Sequence, residues 1–547
     1  MHTQKLRLGL LLDSFNVPAW VYSVLQRVAN EKFGEFVLVV LNEDAGKANK
    51  KDIGSGIYSM FNWVDEKLFT KEPNPFALQN SAEILLDVPV IKVSPVKNGN
   101  ACTLSEADVK NISEYQLDIL IKFGFENLQV ETLNVSKYGT WFYYHGDDRI
   151  MRGGPPGFWE VVENWSETGS ALLAIGGKFS SHWVLFRSHF ITYPLSPARH
   201  RSYYFWATTC FLPRQISLLQ RLGKDEYYRE TEKFNTASLQ AIKKYESPPN
   251  FLAIIAIAKI KIRLINEFFK RLFYADQWFL LFSLNQDLSG DLSRFNKIKP
   301  AKNIFWADPH VIQSDDGYYI FIEEFLRTEN KGHISVIELD NNTGNWKPPV
   351  KVLEKDYHLS YPFIFKWNDK FYMVPESRAN KTIDLYECAE FPYKWNFKQC
   401  LMENVSAVDT TLIHHSGKWW LFAAIAENDA AAPNVELFLF YSDDLFSGNW
   451  KSHPGNPIIS DIKNARPAGS LFAEGTKLFR PSQDCSKSYG YGFDLNEIEV
   501  LSETEYREKK VLSIRPNWDK KILGTHTFAT CGNLTVIDVL TKTPKIW

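Results

Sequence analysis

A chain of 547 residues with a formal net charge of −2 is too long for one hydrophobic core and carries no global basic field, which predicts two or three domains and speaks against a nucleic-acid partner. Hydrophobic residues make up 45% of it and charged residues 23%, as in ordinary globular proteins, but aromatics reach 15%, which suits β-rich architecture and surfaces that stack on sugar rings. Six scattered cysteines with no short Cys/His spacing argue against a structural zinc site and a disulfide framework, so no metal is expected.

The opening MHTQKLRLGLLLDSF is apolar for only about five residues before Asp13, which predicts a first buried strand at 5–12 rather than a leader segment. No stretch reaches ~18 uninterrupted apolar residues, so no membrane span is expected and a cytoplasmic location is the default. Pro18 opens a helix to about Ala29, and 36–41 (FVLVVL) is a second apolar strand, the β-α-β pattern of a parallel sheet. Residues 43–80 read as irregular, Val88–Val93 as a third strand and Val109–Glu114 as part of a helix. Leu117–Gly124 and Tyr138–His145 read as strands with a short helix, Leu128–Val135, between them. Beyond them come a helix from Phe158, a β-pair of Ala171–Ile175 with Trp183–Arg187, and a helix over Ala207–Leu222.

His145 falls where a strand ends, the position at which open α/β sheets place ligands. Asp147, Asp148, Arg149 and Arg152 follow, then Gly153, Gly154, Pro155 and Pro156. Such a loop can turn N–H groups and guanidinium forks toward an anion, or it can be a polar surface turn around a satisfied histidine. The run LDILIKFGFENLQVETLNVSKYG, a strand ending on His145, RGGPPGFWEVV, TGSALLAI and WVLF together resemble the N-terminal domain of the folate-dependent formyltransferases. The resemblance covers about residues 5–220 and is best over 117–187. It implies a Rossmann-like fold, 10-formyltetrahydrofolate as cofactor, and transfer of a formyl or related acyl group to an amino sugar. It also implies that His145 stabilises the developing oxyanion, with Tyr143 at the family's Asn position and Ser180 at its Asp position. Asp147 or Asp148 would then orient His145, and Arg149 and Arg152 would bind substrate phosphate or the carboxylates of the cofactor.

Residues 223–275 join the halves. Within them 251–274 are apolar nearly throughout with interspersed Lys and Arg, which fits either a linker helix docked on both domains or a basic amphipathic helix on a membrane surface.

The second half repeats. Units open at ADPHVIQSDDGYYIFIEE (307–324), SYPFIFKWNDKFYMVPES (360–377), VDTTLIHHSGKWWLFAA (408–424), RPAGSLFAEGTKLFRPSQ (466–483) and, more weakly, GTHTFATCGNLTVID (524–538). A spacing of about 50–60 residues suits four-stranded propeller blades, and WFLLFSLN (278–285) would close the ring with the last of five. In a propeller the blade-opening residues converge on the central channel; here they are Asp308, Tyr361, Asp409, Arg466 and His526. A second polar set ends the following strands: Glu323 and Glu324, Glu376, then Arg480, Gln483 and Asp484. Buried charge needs partners, so the set fits either a salt-bridged channel or a glycan pocket.

The opening ADPHVI…GYYIF resembles the first blade of five-bladed glycosidases of the arabinanase, xylosidase and fructosidase groups. That implies Asp308 as base or nucleophile, with Glu376 as a candidate acid and Asp409 as a third carboxylate. The ordered motifs ADP…FIEE, YPF…VPES, DTT and RPSQ over about 276–545 resemble more closely the N-terminal domain of plant glucosamine inositolphosphorylceramide transferases.

The expected architecture is multidomain: an α/β Rossmann-like, formyltransferase-type domain (1–222), a helical linker (223–275) and an all-β five-bladed propeller (276–547). The expected function is acyl or one-carbon transfer to an amino sugar in cell-surface glycan biosynthesis, with a sugar, nucleotide-sugar or glycan as substrate. The alternatives are glycosidase or glycosyl-transfer chemistry in the propeller, and a non-catalytic glycan-binding scaffold.

Overall fold

The computed structural model describes residues 5–45, 56–98, 101–126, 128–129, 133–150, 153–176, 179–235, 245–284, 292–314 and 317–545. The chain divides into two compact units, Met1–Leu264 and Ile265–Trp547.

The first unit is built on a seven-stranded sheet of β1 (Leu6–Leu12), β2 (Gly34–Asn42), β3 (Val90–Val93), β4 (Ile119–Lys122), β5 (Thr140–Tyr144), β6 (Glu167–Gly176) and β7 (Phe179–Ile191). Its order is β7-β6-β5-β4-β1-β2-β3. The first five strands pair in parallel, and β6 and β7 are antiparallel. β1 is buried along nearly its whole length, as a continuous apolar run between covered faces must be. Helix α1 (Ala19–Asn30) follows Pro18 and buries Trp20, Val21, Val24, Leu25 and Val28. The antiparallel register sets Ala171 opposite Arg187 and Ala174 opposite Trp183, the pairing expected from the sequence.

Three local expectations change. Residues 56–69, expected to be irregular, form α2 (Gly56–Phe69), which buries Tyr58, Phe61 and Asp65. Asp65 accepts hydrogen bonds from Ala198 N (2.8 Å) and Ser196 Oγ (3.0 Å), so its stability comes from a partner far along the chain rather than from helix propensity. Leu128 pairs in an isolated bridge with Cys102, and 128–129 and 133–135 are not helical; residues 130–132 of that expected helix lie outside the described residues. The helix expected over Ala207–Leu222 is two, following α3 (Glu106–Ser113) and α4 (Phe158–Val162): α5 (Pro197–Thr208) and α6 (Phe211–Leu222). Pro213 lies in the first turn of α6, where its missing N–H is harmless, but its ring cannot follow an unbroken preceding turn. Two further helices follow, α7 (Lys224–Glu232) and α8 (Asn250–Phe273).

The second unit is the five-bladed propeller. Blades 1 to 4 take their strands in chain order and open at Ile304, Ser360, Ala407 and Phe472. The fifth blade joins Phe528–Cys531 and Leu534–Pro544 to the earlier strands Tyr274–Ser283 and Asn296–Ile298, so the first and last strands of the second unit close the ring together. Neighbouring blades pack through large apolar side chains. Phe321, Ile334 and Val336 of blade 1 meet Met373, Tyr386 and Trp395 of blade 2.

Candidate functional site

The histidine at the end of β5 sits in an aromatic box. Its ring stacks on Phe205 with centroids 3.8 Å apart and meets Trp20 edge-on at 5.1 Å. Nδ1 lies 3.2 Å from Ser170 Oγ, and Nε2 is buried without a hydrogen-bond partner among the described residues. Burial pushes the His145 imidazole down to about 3, so it is neutral at ordinary pH.

The neighbouring charges satisfy one another. Asp147 takes a bidentate pair from Arg149 (2.9 and 2.7 Å), and Arg149 also reaches His189 Nε2 at 2.8 Å. Burial opposes ionisation of Asp147, but Arg149 outweighs it and holds the carboxyl below its usual range. Asp148 is clasped by Arg187, whose Nε lies at 2.6 Å. The Tyr143 hydroxyl accepts from Leu212 N at 3.2 Å. No carboxylate among the described residues bonds His145, so the described groups do not assemble a His–Asn–Asp unit. Arg152 and the side chain of Ser180 lie outside the described residues.

A conservative replacement tests this placement. His145→Phe keeps a planar aromatic ring, somewhat larger than imidazole, and loses one hydrogen bond, so the expected stability loss in denaturant unfolding is no more than about 3 kcal/mol. A loss well beyond that would show a polar role for this ring.

The propeller centre is assembled differently. Asp308, Tyr361 and Asp409 have positive φ values of 52°, 43° and 52°, and each sits at a register shift in the innermost strand of its blade. A bulge re-aims the strand there, and a left-handed non-glycine residue costs roughly 1–2 kcal/mol. The same irregularity in three blades therefore reflects a repeated inward presentation. Blade 4 uses another device. A Cβ on Gly469 would fall 1.9 Å from the Phe528 carbonyl oxygen, so only glycine lets this segment pass while Arg466 enters the channel.

Two knots of charge result. In the first, His526 lies between two carboxylates, with Nε2 3.1 Å from Asp308 Oδ1 and Nδ1 2.7 Å from Asp538 Oδ2. Asp308 also accepts from Tyr361 N (3.2 Å) and Thr527 Oγ1 (3.1 Å). Burial works against charge on His526, but Asp538 and Asp308 raise its pKa to about 10. Burial likewise opposes ionisation of Asp308, yet His526 holds it down to about 2. Asp308, His526 and Asp538 are the one group among the described residues whose ligand atoms are close enough to hold a cation; in this arrangement the imidazolium already bridges the two carboxylates.

In the second knot, Arg466 forks onto Asp409 (2.5 and 3.1 Å) and lies 3.7 Å from Glu376. Gln483 Nε2 donates to Asp409 at 2.8 Å. Burial raises the Asp409 carboxyl although Arg466 works against it, and Glu376, farther from the guanidinium, is pushed up to about 8 by burial and by the charge of Asp409. Its Oε2 is buried without a hydrogen-bond partner among the described residues. Glu323 occupies the equivalent ladder position, opposite Ala307 as Glu376 is opposite Ser360, and burial raises it well above the usual range.

The other expected residues stay outside the channel. Glu324 takes bonds from Trp306 Nε1, Ser335 Oγ and His333 within blade 1. Arg480 forks onto Glu508 at 2.7 Å, and Asp484 pairs with Arg515 at 2.7 Å. Strand alternation explains all three, since each has the opposite parity to the channel-facing Glu323 or Gln483. The sequence reading also missed Asp538 and Tyr489, whose ring lies 4.9 Å from the Arg466 guanidinium and is 44% exposed. A lone acid inside the apolar run VIDVL was the available signal for Asp538; the loop carrying Tyr489 offered none.

The clamp predicts a titration. The folded-state pKa of His526 is raised from 6.5 to about 10, so its contribution to stability is complete below about pH 6.5 and is lost as pH rises through 10. Ring NMR at pH 8 should show this imidazole doubly protonated, whereas deprotonation near 6.5 would rule the clamp out.

Residues 296–526 match the family model described as glucosamine inositolphosphorylceramide transferase 1, N-terminal. The glucosamine inositolphosphorylceramide transferase 1 of Oryza sativa subsp. japonica is 35% identical over 209 residues, 38% of this chain and 28% of that protein. The chain thus spans little more than a quarter of this relative's length. Among solved structures, an exo-1,5-alpha-L-arabinanase from a bovine ruminal metagenomic library is 16% identical with a TM-score of 0.31, over 46% of this chain and 96% of that one. Glycinamide ribonucleotide transformylase 1 from Symbiobacterium toebii is 10% identical with a TM-score of 0.28, over 40% of this chain and 88% of that one. Likenesses this distant do not bear on the chemistry. The resemblance of the propeller to the plant N-terminal domain, by contrast, holds in sequence.

Proposed function

We propose that this chain is a carbohydrate-active transferase whose sugar site is the propeller channel, with Glu376 as proton donor and Asp308 as fixed negative charge. The observation that carries the reading is the contrast in surroundings of two carboxyls in one channel: Asp308 lies 3.1 Å from His526 Nε2, which holds it down to about 2, whereas Glu376 is buried with Oε2 unbonded among the described residues and is pushed up to about 8. Environments that push paired carboxyls apart in this way create an acid and an anion at the same pH. At a glycosyl centre the neutral Glu376 would protonate the departing oxygen, and Asp308 would stabilise positive charge developing on the ring. The sugar-lipid transferase named in the match to residues 296–526 supports a sugar, nucleotide sugar or glycan as substrate. Formyl transfer receives no such support from the residues around His145.

A second reading, glycan binding without turnover, is favoured by the saturation of Asp308 and Asp409 with hydrogen bonds from the protein itself. Asp308→Asn separates the two readings on a panel of nucleotide sugars and glycans. Catalysis predicts lost turnover with ligand still bound, whereas a wild type that binds a glycan and never turns it over would favour the second.

A further inference from the structure

Helix α8 has two opposed faces. Ala253, Ala256 and Ile260 are buried against Tyr58, Phe61, Phe158 and Trp159 of the first unit. The other side carries Phe251, Ile255, Ile262, Ile265, Phe269 and Phe273, all exposed, from 40% at Ile255 to 71% at Phe251. These positions recur at helical spacing along all 24 residues, a stripe about 36 Å long. A helix of a globular protein ordinarily turns such a stripe inward, and a contiguous exposed apolar surface marks an interaction site.

The charge on this helix restricts what can cover it. Lys259, Lys261, Arg263, Lys270 and Arg271 stand against one acid, Glu267. Lys259 and Lys270 pair with Glu163 and Glu267, and Arg263 donates to Asn164 Oδ1 and to the carbonyls of Val162 and Pro194, while Lys261 and Arg271 are exposed. A second copy of the same helix would bring like charges together, whereas an anionic bilayer offers phosphates to the basic residues and acyl boundary to the stripe. Helix α2, which packs in the same cluster as α8, exposes Met60 (63%) and Trp63 (57%), with Lys67 Nζ 4.2 Å from the Trp63 ring. Tryptophan and lysine side by side suit the bilayer–water interface. Among the described residues no helix is long and apolar enough to cross a membrane, and α8 is interrupted by charge too often to do so.

We propose that α8 lies flat on an anionic lipid surface, its apolar stripe inserted and the exposed Lys261 and Arg271 at the phosphates. The inference rests on α8 and the neighbouring α2 and does not depend on the channel chemistry.

The test uses the full chain with vesicles of three parts phosphatidylcholine to one part phosphatidylserine, compared with phosphatidylcholine alone. Wild type should co-sediment with the anionic vesicles and less as salt is raised. The double variant Ile255→Glu/Ile262→Glu should lose at least about tenfold in partitioning while its melting temperature stays unchanged. As a second variant on another part of the helix, Lys261→Glu/Arg271→Glu should abolish the preference for phosphatidylserine. The inference is overturned if wild type ignores both vesicles, if the glutamate variants bind as well as wild type, or if wild type is a dimer that the variants dissociate with no vesicle binding in either.

Discussion

Arg466→Ala is expected to lower the stability of the propeller by about 3–5 kcal/mol, because it strands a buried charge whose partner is removed. Arg466 is 12% exposed and Asp409 1%, and the two are joined by a fork at 2.5 and 3.1 Å. Glu376 lies at 3.7 Å from the same guanidinium, so the variant leaves two acids facing each other without a cation. Arg466→Lys keeps the charge and loses the fork, and should cost less. The pH dependence has a definite sign. Without Arg466 the acids gain stability only by taking up protons, so the deficit narrows as pH falls toward the ordinary carboxyl range and widens as it rises. Urea unfolding at pH 5 and pH 8 measures both. A deficit below about 1 kcal/mol at either pH would mean that the ion pair is not what holds the channel together.

Glu376→Gln is expected to reduce sugar transfer or hydrolysis by about 10²–10⁴-fold while changing ligand affinity little, since the amide keeps the shape and loses only the transferable proton. A general acid works while protonated, so wild-type activity should fall as pH rises through about 8, the value to which burial and Asp409 raise this group. The same raised value costs stability. The unfolded chain ionises Glu376 near the ordinary glutamate value of 4.5 while the folded protein holds the proton up to about 8, so this contribution declines across that window. Glu376→Gln should therefore remove the alkaline limb of the rate profile and make the protein more stable, relative to wild type, at pH 8 than at pH 4. A variant with full activity and an unchanged profile would remove Glu376 from the chemistry.

How much of this was legible in the sequence follows from how local each feature is. The blades could be read because each repeats a polar opening, an apolar strand, a tight turn and an aromatic strand. Asp308, Tyr361 and Asp409 could be placed at the centre because each falls at the opening of its repeat unit; the bulge found at each of them was not visible in the sequence. Parity was less accessible. Glu323 and Glu324 are adjacent, and which of them faces the channel depends on a register that the sequence does not display. The same is true of Gln483 between Arg480 and Asp484. Around His145 the strand end was legible but its neighbours were not, because Trp20 and Phe205 arrive from α1 and α5, far away in the chain. The pairing of Asp148 with Arg187 likewise depends on β7 folding back beside the loop, whereas Asp147 and Arg149 are only two residues apart. Helix α2 was missed because its aromatics and asparagine dilute the helical signal, and the hydrogen bonds that Asp65 accepts come from residues more than a hundred positions later.

The most direct test of the channel as the sugar site compares two variants on one ligand. A panel of nucleotide sugars and glycans identifies the sugar that wild type binds or turns over, and that sugar is then offered to Glu376→Gln and to His145→Phe. The channel reading predicts that Glu376→Gln loses turnover and that His145→Phe keeps both binding and turnover. Turnover lost in His145→Phe and intact in Glu376→Gln would contradict it, and would place the chemistry at the end of β5 instead.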